Sequence, residues 1–149
     1  MARHRRAALA VAVLGVYLQV VEWIDLHPWN DVRTGNGQEL LDLLLAPVTV
    51  MLVAWMWTSR RWAQLTASVA LLVWAGLQVT TWWSPYVWGA SPGWKRTWAR
   101  WFADTVQVLP NDGAHLPPDA NHLVLQVLIA AALALSAAAA WQGFRRPAP

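Results

Sequence analysis

Chemistry in this chain would have to come from few side chains, because its 149 residues hold no cysteine, eight acids and four histidines. The missing cysteine removes thiolate nucleophiles, disulfides and every Cys-containing metal site. The remaining candidates recur beside apolar runs. Glu22 follows Gln19 by three residues, so on a helix the two share a face. Asp42 stands early in a second apolar run and Gln78 late in a third. His122 and Gln126 open a fourth, at the i, i+4 spacing of helical neighbours. Two carboxylates and an imidazole are ligand types that suit a divalent Zn, Mn or Fe ion, so Glu22, Asp42 and His122 form a candidate metal site. A divalent metal is the one cofactor these residues suggest. Together with Gln19, Gln78, Gln126 and Arg100 they form a candidate polar pocket for a small ligand or a lipid headgroup. A catalytic centre would need the same groups within hydrogen-bond reach of one another. No His-Glu-x-x-His, paired Glu-x-x-His, Gly-rich phosphate loop or nucleophile elbow accompanies them. A plainer alternative is that Glu22, Asp25 and Asp42 meet water at helix ends, with His122 part of the turn that caps the last helix. His27 and His115 fall in loops.

What would hold such groups at one level is a membrane bundle. The chain is 57% hydrophobic and 13% charged, whereas about a quarter of a soluble domain is charged. Its thirteen Trp residues against two Phe and two Tyr favour the side chain that settles between headgroups and hydrocarbon. Four apolar spans are expected, over residues 7–24, 40–57, 62–83 and 123–141. The first covers 18 residues, about 27 Å of helix against a hydrocarbon core of about 30 Å. It ends in Glu22-Trp23-Ile24-Asp25 with no small-x-small cleavage site, so it reads as an uncleaved helix and not a signal peptide. Pro47 implies a kink in the second span. Thr58-Ser59-Arg60-Arg61 is short enough to force the third span antiparallel to the second, and Ser84-Pro85 is expected to end that third span. Asp119 is placed to cap the fourth. The fold class is therefore an all-α, four-span membrane bundle forming a single domain.

Arg3, Arg5, Arg6, Arg60, Arg61, Arg145 and Arg146 fall on one side of such a bundle, and Arg33, Lys95, Arg96 and Arg100 on the other. The excess makes the first side, with both termini, cytoplasmic. All eight acids, Glu22, Asp25, Asp31, Glu39, Asp42, Asp104, Asp112 and Asp119, lie toward the outer side. Between the third and fourth spans, Ser91-Pro92 starts and Pro110 stops a helix over about 92–109. Its Trp94, Trp98, Trp101, Phe102 and Thr105 share one face, with Lys95, Arg96 and Arg100 on others. This reads as an amphipathic helix lying at the outer interface, an anchor or a lid.

Several function classes drop out. The basic pairs and triplets at the ends of apolar runs are no nucleic-acid stripe, despite a pI of about 10.2. A channel or proton wire needs polar groups at every depth, yet the inner halves carry only Thr49, Gln64, Thr66, Ser68 and Ser136. The two halves show no repeat of the inverted-transporter kind. The Ala130, Ala134, Ala138 row, with Ala132, Ser136 and Ala140 beside it, permits close helix approach within the bundle or in a homo-oligomer.

One block, Trp82-Trp83-x-Pro85-Tyr86-x-x-Gly89-Ala90, Arg100-x-Phe102-x-x-Thr105-x-x-x-Leu109-Pro110 and Pro118-x-x-x-His122, resembles a family of small bacterial four-helix membrane proteins with no assigned activity. The resemblance implies the four-helix architecture and an outer loop that is more than a linker. High Arg, Ala and Trp with a single Lys agree with a GC-rich bacterial source and a bacterial plasma membrane. The leading expectation is a non-enzymatic protein that binds a small ligand, lipid headgroup or metal ion at its outer face. The rivals are a membrane enzyme acting on a lipid or quinone and an accessory subunit of a larger membrane complex. The bilayer is the expected partner, with a homo-oligomer or membrane-protein partner also compatible.

Overall fold

The computed structural model describes residues 2–30, 39–58 and 60–145, and for residues 39–43 the backbone alone. Among them every regular element is helical. The elements are α1 (Arg3–Trp23), α2 (Glu39–Trp57), α3 (Arg61–Gln78), a π-helical turn (Val79–Trp83), α4 (Ser84–Trp88), α5 (Pro92–Trp101) and α6 (Ala120–Arg145).

α1 begins a turn earlier than its apolar run, with Arg3 to Arg6 continuing the helix ahead of the fully buried Ala7 and Ala8. Pro47 is accommodated inside α2. The third apolar run corrects expectation: Ser84-Pro85 does not end it. Helical backbone continues from Arg61 to Trp88, 28 residues, or about 42 Å. Pro85 stands just after the π-helical turn, at the start of α4, and gives no N–H to the carbonyls of the turn before it. The chain leaves the helix at Gly89, whose φ of +91° only glycine adopts without strain.

α5 is shorter than expected, ending at Trp101 and not near residue 109. Its start is as read: Ser91 Oγ accepts from Trp94 N–H at 3.2 Å, with Pro92 in the first turn. Its end is set by groups that compete for the last carbonyls. Gln107 Nε2 donates to Phe102 O at 2.9 Å, and the Thr105 backbone N–H reaches the same oxygen at 3.2 Å. Residues beyond bond elsewhere, Val106 N to Pro28 O at 2.9 Å and Ala120 N to Val106 O at 2.8 Å. Asp119 caps α6 as expected, and this helix starts three residues before its apolar run.

α6 is the central helix, packed against α1 on one side and α3 on the other, while α1 also carries α2. The contact between α2 and α3 is slighter, despite their short connection. Small residues make the seams. The buried row on α6 is Ala132, Ser136 and Ala140, whereas Ala130, Ala134 and Ala138 face outward. A Cβ on Gly15 would stand 2.5 Å from Thr49 Cγ2, and one on Gly143 would stand 2.9 Å from Arg61 Cβ, so neither seam has room for a larger side chain. Three helical stretches, Arg3–Trp23, Arg61–Trp88 and Ala120–Arg145, are long and apolar enough to cross a membrane; Leu44–Trp57 is a shorter apolar helix. Their outward faces carry exposed Val16, Val50, Met51, Leu72, Val73 and Val127, the surface a hydrocarbon solvent accepts and water penalises.

The bundle has two unlike ends. At one, Arg5 lies over Trp57, Arg61 over Trp62 and Phe144, and Arg145 over Trp141. At the other, the segment from Gly89 to Asp119 forms a cap on the ends of α1, α3 and α6.

Candidate functional site

The cap is organised around a buried carboxylate. Asp119 is 1% exposed, and a carboxylate moved out of water unpartnered costs several kcal/mol. Both of its oxygens are therefore used. Oδ1 accepts from the backbone N–H of His122 at 2.8 Å and meets His122 Nδ1 at 2.7 Å; Oδ2 accepts from the Thr105 hydroxyl at 2.9 Å. Burial pushes this carboxyl upward, but the hydrogen bonds and charge of His122, with Thr105, outweigh it and hold the pKa below the usual carboxylate value. The i, i+3 spacing is what lets one residue serve as N-cap and as imidazole partner at once. With Nδ1 directed at Asp119, the neutral ring keeps Nε2 as its basic nitrogen.

Aromatic rings wall the imidazole. Trp82 lies tilted over His122 with centroids 3.9 Å apart, and Phe102 meets it edge-on at 5.3 Å. Trp82 is edge-on to Phe102 at 4.8 Å and to Trp94 at 5.4 Å. Trp98 is buried beneath and donates its indole N–H to Pro117 O at 3.1 Å. The π-helical turn makes this wall available. Successive residues on an α-helix diverge by about 100°, but the wider winding over Val79–Trp83 turns both Trp82 and Trp83 toward α6. Trp82 covers His122, and Trp83 Nε1 donates to Gln126 Oε1 at 2.9 Å.

Loops and α1 complete the end. Tyr17 donates to Asn121 Oδ1 at 2.6 Å and accepts from the Trp29 indole at 3.2 Å. Buried Asn30 caps the end of α1: its Nδ2 donates to Ile24 O at 3.0 Å and to Val21 O, and its Oδ1 accepts from Leu26 N–H at 3.1 Å. These are carbonyls that a helix C-terminus leaves without partners.

The structure sorts the residues singled out in sequence. His122, Gln126 and Gln78 come together at the α3–α6 seam, with Gln126 Nε2 reaching Gln78 Oε1 at 3.4 Å. They are tied to Asp119, Trp83 and each other, which gives them structural work. Glu22 is half-buried in the last turn of α1, and Gln19, one turn earlier, lines a groove between α1 and α2. Asp42 lies outside the residues whose side chains are described, so its pairing with Glu22 stays an expectation. Arg100 is exposed on α5, its guanidinium 4.9 Å from the Trp101 ring centroid. Among the described residues, no three His, Asp or Glu side chains stand together as metal ligands. Sequence reasoning did not single out Thr105, Tyr17, Trp29 or Asn30 as partners, and it read Asp119 only as a cap. The signal for its second role was there in the Asp119-x-x-His122 spacing.

A second feature lies along the flank. Between α1 and α2 runs an open groove of about 760 Å³, lined by Ala12, Gly15, Val16, Gln19, Val20 and Trp23 on one side and by Thr49, Val50, Val53, Ala54 and Trp57 on the other. Its volume falls in the range of small-molecule sites, about 300 to 1,000 Å³. Gln19 and Thr49 are its non-aromatic hydrogen-bonding side chains. In comparisons with known proteins no family model, no curated protein and no solved structure matches the chain.

Proposed function

We propose that the chain is a four-span plasma-membrane protein, with both termini on the cytoplasmic side, that binds the hydrocarbon chain of a bilayer lipid in the groove between α1 and α2. The observation that carries this reading is the groove: apolar along its length and flanked by outward Val16 and Val50. A bilayer supplies extended chains at high concentration to such a surface. The polar residues on α3 and α6 expected to form an outer pocket hydrogen-bond to Asp119, Trp83 and one another, which supports the α1–α2 side for the lipid. Filling the groove by Ala54→Trp should lower the number of lipids retained by the purified chain in native mass spectrometry. Unchanged retention rejects the reading. Topology has its own test, because the chain has no native cysteine. Gly113→Cys should react with a membrane-impermeant thiol reagent on intact cells and Thr58→Cys should not; the reverse pattern, or labelling at both, removes the four-span orientation.

A second reading, an enzyme acting on a lipid or quinone, draws on the Asp119–His122 pair at 2.7 Å, the arrangement that orients a general base. It requires His122→Gln to abolish a turnover that the groove variant only weakens.

A further inference from the structure

We infer that the lipid held in this groove is anionic, with its phosphate at the arginine end beside Arg5. The inference rests on the lipid-binding reading above and adds the headgroup class and the direction of the chain. Trp57 lines the groove at its arginine end, and the Arg5 guanidinium lies over that indole, 5.4 Å from its centroid. A planar cation is thus laid at the groove's mouth. A guanidinium fork matches two phosphate oxygens at once.

Charge separates the two ends. The sequence holds no Asp or Glu before Glu22 and none between Asp42 and Asp104. The arginine end therefore gathers Arg3, Arg5, Arg6, Arg60, Arg61 and Arg145 with no acidic side chain from those stretches to neutralise them. The opposite end of the same groove, at Trp23 and Ile24, adjoins Glu22 and Asp25. A phosphate is attracted at the first of these ends.

The test uses the full chain equilibrated with vesicles of equal phosphatidylglycerol and phosphatidylcholine bearing the same acyl chains, with bound lipids counted by native mass spectrometry. The wild-type chain should enrich phosphatidylglycerol. Arg5→Gln should cut that enrichment about fivefold, the effect of one basic side chain near a lipid phosphate, while leaving the total lipid count unchanged. Arg145→Gln, whose guanidinium lies over Trp141 and not over a groove residue, should leave the enrichment intact. Ala54→Trp should lower both lipids together, and if it does not, the groove reading itself fails. Equal retention of the two lipids by the wild-type chain overturns the headgroup assignment. So does an Arg5→Gln chain that keeps full enrichment, an Arg145→Gln chain that loses as much as Arg5→Gln, or displacement of bound lipid by soluble glycerol phosphate.

Discussion

At the arginine end, helix termini meet through small residues and indoles, whereas at the capped end the same bundle is tied by hydrogen bonds drawn from loops. Gly143 lets α6 approach Arg61 of α3, and the cations there rest on aromatic faces. Buried Gln64 adds one bond, Nε2 to Met56 O at 3.0 Å. At the cap, Tyr17 reaches Asn121 and Thr105 reaches Asp119 from other parts of the chain, while His122 and Asn30 bond nearer by, to Asp119 and to the end of α1. The difference follows from charge. Exposed arginines stay solvated and need only a flat surface beneath them, worth about 0.5 to 1 kcal/mol per cation–π contact. A buried carboxylate has no such latitude, so its surroundings are specified atom by atom. The cap is therefore the end where one substitution should do most harm.

Asp119→Ala tests that directly. It removes the α6 cap and the partner of His122 and Thr105, and should destabilise the detergent-solubilised chain by about 3 to 5 kcal/mol in reversible unfolding. A loss under 1 kcal/mol would mean the cap is an ornament on a bundle that stands without it. The corresponding blow at the helix seams is Gly15→Ala, whose new methyl meets stiff Thr49; overpacking of this kind costs about 1 to 3 kcal/mol. If Gly15→Ala proves worse than Asp119→Ala, the ranking of the two kinds of cohesion is inverted.

Acid sharpens the comparison. Because the folded Asp119 carboxyl titrates below its unfolded value of about 3.9, its contribution is fully present above that pH and is lost as pH falls through the folded pKa. The stability difference between the wild-type chain and Asp119→Asn should thus hold steady from pH 7 to 5 and shrink below about pH 4. A difference that instead persists unchanged below that range would show that the carboxylate charge is not what the cap depends on. Asp112, exposed in the cap's outer loop and held by His115, has its pKa lowered to about 2, and NMR titration of its carboxyl should follow that value.

The smallest effect concerns independence. Residues 119 and 143 stand 24 positions apart along α6, about 36 Å. Combining Asp119→Ala with Gly143→Ala should therefore give losses that add within about 0.5 kcal/mol. A larger coupling would show that the two ends fold as one unit.

Much of this was open to sequence reasoning. Hydropathy and the clustering of arginines located the apolar helices, and Ser91, Pro92 and Asp119 marked helix starts through local chemistry that needs no tertiary partner. Where the reading missed, a distant partner had intervened. α5 stops at Trp101 because Thr105 and Gln107 take the carbonyl of Phe102, and because Val106 bonds to Pro28, 78 positions away. Pro85 fails to end its helix because a π-helical turn re-aims the chain so that Trp82 can cover His122. Periodicity alone grouped Glu22, Gln19, Gln78, His122 and Gln126 at one depth, since rise per residue sets depth. It is silent on azimuth. Rotation about each helix axis is chosen by packing, and packing put Ala132, Ser136 and Ala140 of α6 inward, laid Trp82 over His122, and left Gln19 in a groove facing outward. Depth and end-to-end polarity were thus determined by the sequence itself, while the identity of each polar residue's partner was decided only when the helices packed.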